Sequence, residues 1–228
     1  MQTLKFSTIS IQDIKQIAQL KERGISVDYE WLQANQINIT DIEQSQLSII
    51  QQRLIGYETS LMNEATIWAR AIYPLLVLAE QDHVQAWAGV SIQAQYPHVE
   101  LQGIVDGMLS QSVAGMAEHP YLVVVEAKRS LEANNPRFQL YGELLASARL
   151  NWEANQQPVQ EMFGCYTIGD SWTFLRAIIQ DIDTKRPQLT LESSREYVEK
   201  IEAETILKIL KLIVMRQING RREQFGEI

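Results

Sequence analysis

The chain has 228 residues, 46% hydrophobic and 21% charged, so it can bury a core of ordinary size and is not a disordered tail. Its formal net charge of −8 excludes a protein that coats nucleic acid through bulk positive charge, while leaving room for a local basic strip. The single cysteine, Cys165, excludes an internal disulfide framework and a cysteine-rich zinc site, and His83, His98 and His119 lack ligand spacing. MQTLKFSTIS has no signal-peptide apolar run, and no window is apolar enough for a membrane span. A soluble cytoplasmic protein with no membrane partner is therefore expected.

Residues 1–60 read as a helical extension. Ile9, Ile11, Ile14, Ile17, Ala18 and Leu20 recur at helical spacing, and Gly24 closes the run. A short segment, Tyr29 to Ala34, follows. Thr40 and Glu43 then form a capping box for a helix whose apolar stripe is Leu47, Ile49, Ile50, Leu54 and Ile55, with Gly56 as its break. A stronger helix opens at Asn63, its N-cap, and Pro74 is expected to kink it or to mark its last third. Beyond it the period changes. Val84, Ala86, Ala88, Val90 and Ile92 alternate as in a half-buried strand, and VELQGIVDGMLS is its antiparallel partner after the Pro97–His98 turn. A loop with Gly115 and Pro120 leads to YLVVVEAK, an apolar run typical of a central strand. The segment from Asn134 to Trp152 is helical again, started by Asn134, Asn135 and Pro136. EMFGCYTIG and SWTFLRAII make a hairpin across Gly169–Asp170, and a last helix spans Ser193 to Ile218, with Gly220 past its end. This order predicts an α/β fold with a mixed central sheet flanked by helices, the main domain occupying residues 61–228.

Three side chains in the middle of the chain carry chemistry. Glu126 and Lys128 stand two apart on a strand and leave one face, after Leu122 and Val124. Asp106 ends the neighbouring strand after Gly103, Ile104 and Val105. Two carboxylates and an ammonium at adjacent strand ends are costly to bury unless something compensates them. A divalent cation on Asp106 and Glu126 would do so, with carbonyl and water oxygens completing a hard-ion shell. Lys128 would then orient or deprotonate a nearby water, an arrangement suited to attack on a phosphodiester. The plainer readings are a turn aspartate in Asp-Gly and a solvated strand-end ion pair of little energetic weight.

Taken in order, GIVDG, nineteen intervening residues and VVVEAK, the pattern resembles the signature of the PD-(D/E)xK nuclease superfamily. Glu64 fits the acidic residue that members carry in the helix before the first strand. Gln139 in RFQLYGELL fits the glutamine that RecB-like and restriction-type members carry in the helix after Glu-x-Lys. FGCYTIGDSWTFLRA resembles the strand pair that follows. The resemblance spans residues 63–180, and Val105 stands where the naming proline would. It implies a restriction-endonuclease-like core that hydrolyses DNA by activated-water attack, with Mg²⁺ as cofactor and Mn²⁺ as a substitute. Asp106, Glu126 and Glu64 would be metal ligands, Lys128 the catalytic lysine, and Gln139 a residue that orients substrate or lysine. Some members have lost catalysis, so a binding or regulatory module is the alternative. A paired-carboxylate glycosidase is a weaker reading, since it has no use for Lys128.

The remaining features have plainer expectations. Glu80 rivals Glu64 as the helix acid, and only Arg129, Arg137 and Arg149 add positive charge near the motif. Trp68, Trp87, Trp152 and Trp172 should pack, and Cys165 should be a small buried hydrophobe. The last helix carries Lys208, Lys211, Arg216, Arg221 and Arg222 around a broad apolar surface. Core packing is its first expectation and a homodimer through the C-terminal or N-terminal helices the second, with a nucleic-acid-facing helix as the other functional reading.

Overall fold

A computed structural model describes residues 2–128 and 135–225, without side chains at 60, 120 and 220–225. Arg129 and Asn134, and the side chains of Arg221 and Arg222, lie outside the described residues. In chain order the strands are β1 (Gln2–Lys5), β2 (Gln19–Ile25), β3 (Val84–Gln95), β4 (Val99–Val113), β5 (Met116–Lys128), β6 (Val159–Ile168), β7 (Ser171–Gln180) and β8 (Gln188–Val198). The helices are α1 (Ile11–Ile17), α2 (Asp41–Ile55), α3 (Glu64–Ile67), α4 (Tyr73–Leu78), α5 (Pro136–Asn155) and α6 (Glu199–Phe225).

All eight strands form one mixed sheet in the order β1-β4-β5-β6-β7-β8-β2, with β3 paired to β4. β3, β4 and β5 run antiparallel in sequence, α5 crosses over, and β6 returns parallel to β5. α1 and α5 cover one face through Ile14, Leu140, Leu144 and Leu145. α2, α4 and α6 cover the other through Leu47, Leu75, Leu76, Ile206, Leu210 and Ile213. Each such side chain contributes about 1.5–3 kcal/mol by leaving water, and together they hold β5 in the middle of a three-layer α/β/α sandwich. The capping box is present: the Thr40 N–H donates to Glu43 Oε2 at 2.8 Å and the Glu43 N–H to Thr40 Oγ1 at 3.2 Å.

Several boundaries differ from the sequence expectation. Residues 1–60 are not a separate helical extension, because β1 pairs parallel with β4 and β2 pairs parallel with β8. The run from Ile9 to Leu20 is helical only over Ile11–Ile17, and Gly24 lies inside β2 at φ +87°, where the register slips. Strand pairing here overrides a local helical pattern. The expected loop around Gly115 and Pro120 is mostly strand, since Ala114 and Gly115 (φ +52° and +80°) turn the chain in two residues. Pro74 marks the last third of the helical run from Glu64 to Leu78, the second of its two expectations. The helix widens into a π-turn at Trp68–Ile72, and Pro74 then occupies the first turn of α4, where a missing N–H costs nothing. Ser193 belongs to β8, and α6 starts at Glu199 and passes through Gly220 to Phe225.

Candidate active site

The site lies where the β3–β4 hairpin turns over. Ala86 and Leu109 pack with the α4/α6 side, whereas Val90, Ile92, Leu101 and Val105 pack with the α5 side. The inward-facing set therefore changes face between Gly107 and Val105. The switch is made at Gly89, whose φ of +65° suits glycine, opposite Asp106. On the other edge of β4 the sheet forks. β1 pairs with residues 99–102 and β5 with residues 107–113, so Gly103–Asp106 lies between two strand ends. Asp106 caps the end of the β4–β5 ladder by accepting the Ala127 N–H at 2.8 Å. It is thus a mid-strand residue at a fork, not a turn aspartate.

The register that pairs Gly107 with Val125 continues to Asp106 beside Glu126. Glu126 and Val124 point toward α5, whereas Leu122 packs on the opposite face, a change that accompanies the irregular β4–β5 pairing near Ser110. Glu126 is fully buried. Lys128 Nζ lies 2.5 Å from its Oε1, and Gln139 Nε2 donates to its Oε2 at 2.6 Å and to Glu143 Oε1 at 3.1 Å. Glu143 stands one helical turn after Gln139, is fully buried, and also hydrogen-bonds Glu126. It was not among the sequence candidates, although its four-residue spacing from Gln139 marks it as a member of the same face.

Burial and the adjacent Asp106 charge raise the Glu126 carboxyl to about 7, although Lys128 opposes the shift. Burial and the Glu126 charge raise Glu143 well above the carboxylate range. Lys128 favours charge on Glu126, so within this pair the upward push is opposed at Glu126 by its counter-ion. Burial alone would lower Lys128. The close contact with Glu126 and the charges of Glu126, Asp106 and Glu64 outweigh it, so Lys128 stays protonated. In this state it is a donor and not a base.

The structure thus brings Asp106, Glu126, Lys128 and Gln139 together, with Glu143 added. Glu64 is exposed at the start of α3 and reaches the group only as a charge acting on Lys128. Glu80 is elsewhere, accepting the Ala86 N–H at 2.9 Å. Arg137 is tied to Glu22 and Tyr141, and Arg149 to Glu153. α6 packs in the core, and its cations Lys208, Lys211 and Arg216 each face a glutamate. Cys165 is buried, its thiol pushed up by burial.

Among the described residues no three metal-ligating side chains form a compact group, and Glu64 stands apart from Asp106 and Glu126 at the exposed start of α3. The Asp106–Glu126 pair itself fits a hard cation. Its donors are carboxylate oxygens, and the buried Glu126 Oε1 makes an ion pair with Lys128 but no aligned hydrogen bond. No protein-family model matches the chain, and no curated protein matches it in sequence. No helix among the described residues is long and apolar enough to cross a membrane.

Proposed function

We propose that the chain is a metal-dependent nuclease of the PD-(D/E)xK type, hydrolysing DNA phosphodiester bonds. The observation that carries this reading is the pairing of Asp106 with Glu126 at the forked end of the β4–β5 ladder, with Lys128 against Glu126. The order β4, β5, α5, β6, β7 around that pair supports a restriction-endonuclease-like core. When bound, Mg²⁺ or Mn²⁺ would supply Lewis acidity and a water of lowered pKa. Asp106 and Glu126 would hold the cation. Lys128, already protonated, would hold a water or a phosphoryl oxygen and place positive charge where negative charge develops. Gln139 fixes the orientation of Glu126 through its 2.6 Å hydrogen bond. Cleavage of circular single- and double-stranded DNA with Mg²⁺ or Mn²⁺ tests this directly. Metal-dependent nicking is expected from the wild type and none from Asp106→Ala.

One observation favours a second reading, a catalytically silent nuclease-like module. Glu126 is already engaged by Lys128, Gln139 and Glu143 without any metal. Calorimetric titration with Mn²⁺ separates the two: binding that disappears in Asp106→Ala supports the nuclease, and no binding supports the module.

A further inference from the structure

Resting on the nuclease reading, we infer that the fork between β1 and β5 binds the polynucleotide strand beside the scissile phosphate, with Lys5 as its phosphate contact. A cleft of about 440 Å³ opens at this fork, lined by Lys5, Ser91, Gln93, Gln102, Ile104 and Gln139 among others. Gln139 is the residue that donates to Glu126, so the cleft and the carboxylate pair share a wall. Lys5 pairs with Gln102 on β4, four residues from Asp106. At about 3.3 Å per residue that is about 13 Å of strand, a span of a few nucleotides.

The lining chemistry fits a sugar–phosphate chain. Among the described residues no acidic side chain lines the cleft, although Glu100 accepts from the lining amide of Gln93. Lys5 is exposed and has no ion pair among the described residues, whereas Arg137 and Arg149 are committed to glutamates. In a protein of net charge −8, an uncommitted cation beside the site has a large local effect on a polyanion. Ile104 is 61% exposed although it lies on an interior strand, because the fork leaves it uncovered. It offers an apolar surface to a sugar or base, next to the amide of Gln102. A second groove, lined by Lys15, Lys21 and Arg186, is more basic. It lies at the β2 edge, four strand spacings or about 19 Å from β5, and shares no lining residue with the site.

The test is the anisotropy of labelled single-stranded and duplex deoxyoligonucleotides across a salt series, with Ca²⁺ replacing Mg²⁺, alongside the circular-DNA assay. Lys5→Ala should weaken binding roughly three- to tenfold and reduce the salt slope by about 0.7–0.9, the loss of one phosphate contact. Lys5→Arg should retain both, and Lys15→Ala/Lys21→Ala should leave both unchanged. Thermal melting of the same variants confirms that each is folded. If wild type binds or nicks DNA and Lys5→Ala matches it in affinity and slope, the cleft assignment is overturned while the nuclease reading stands. A loss confined to Lys15→Ala/Lys21→Ala moves the strand to the other groove. A wild type that neither binds nor nicks any of these DNAs overturns both.

Discussion

Replacing Asp106 with asparagine should stabilise the metal-free protein at neutral pH while abolishing nicking. Glu126 ionises at about 7 in the fold against an ordinary 4.5, because it is buried and faces the Asp106 charge. A raised carboxyl favours the protonated fold. The penalty is therefore absent below about pH 4.5, grows as pH rises, and is complete above about pH 7. At about 1.36 kcal/mol per pH unit the full penalty is about 3 kcal/mol. Asp106 is its second cause after burial, so removing that charge should return about 1 kcal/mol. Asparagine can still accept the Ala127 N–H, so the ladder end is kept. In a domain of this size the gain corresponds to a Tm about 2–4 °C higher at about pH 8, with little change at about pH 5. Thermal unfolding in EDTA reads both. Adding Mg²⁺ should then raise the wild-type Tm and leave the variant unmoved. An Asp106→Asn protein that is less stable than wild type at pH 8 in EDTA, or that gains equally from Mg²⁺, would refute the assignment of these two carboxylates as a strained metal pair.

Further outcomes follow from the same geometry. Lys128→Met should act oppositely, lowering metal-free stability at neutral pH by about 1–3 kcal/mol because Glu126 loses its counter-ion; urea unfolding at pH 7 checks it. Glu199 is buried, accepts the Trp172 indole N–H at 2.7 Å, and is raised to about 8 by burial and by Asp170. Glu199→Gln keeps that bond and removes the charge. It should be more stable than wild type at about pH 9, by up to about 5 kcal/mol, and equal to it below about pH 4.5. Parallel pH–stability profiles for the two proteins would contradict it. A Cβ at Gly107 would collide with the Trp68 ring and Leu76. Gly107→Ala should cost about 1–3 kcal/mol in denaturant unfolding, with part of the loss recovered on the Trp68→Leu background.

The interior of the fold was legible because its residues obey one rule at a time. β3, β5 and the β6–β7 hairpin alternate or run apolar as strands do, and the Thr40–Glu43 box announces its helix. The edges were not. β1 is four residues long, and β2 reads QLKERGI, whose charges serve an edge strand that faces solvent and carry no apolar period. β8 was hidden by burying Glu192, Ser193 and Ser194. Glu192 can sit inside because Arg23, Arg176 and the Trp31 indole converge on it at 2.9–3.1 Å, partners drawn from β2, β7 and the segment before α2. A strand whose inward residues are polar for tertiary reasons has no one-dimensional signature.

The candidate site shows the same division in its chemistry. Glu126 and Lys128 could be read as a same-face pair from their two-residue spacing on β5, whereas Asp106, expected at a strand end, lies in the middle of β4. What the sequence left open is the sign of the charge balance. Glu64 sits in an acidic position of the motif but remains exposed and acts only at a distance, whereas Glu143, an ordinary helical glutamate in sequence, is sealed against Glu126. The inner group crowds three carboxyls, Asp106, Glu126 and Glu143, around the one ammonium of Lys128. It lies where the sheet forks, at the head of a cleft with no acid among its described lining residues. A buried residual negative charge destabilises the apo fold and is relieved by a divalent cation. The same excess repels a phosphodiester until that cation is present. On the nuclease reading, metal dependence and strand binding would therefore be coupled through Asp106, with Lys5 attracting the strand from the far end of the cleft.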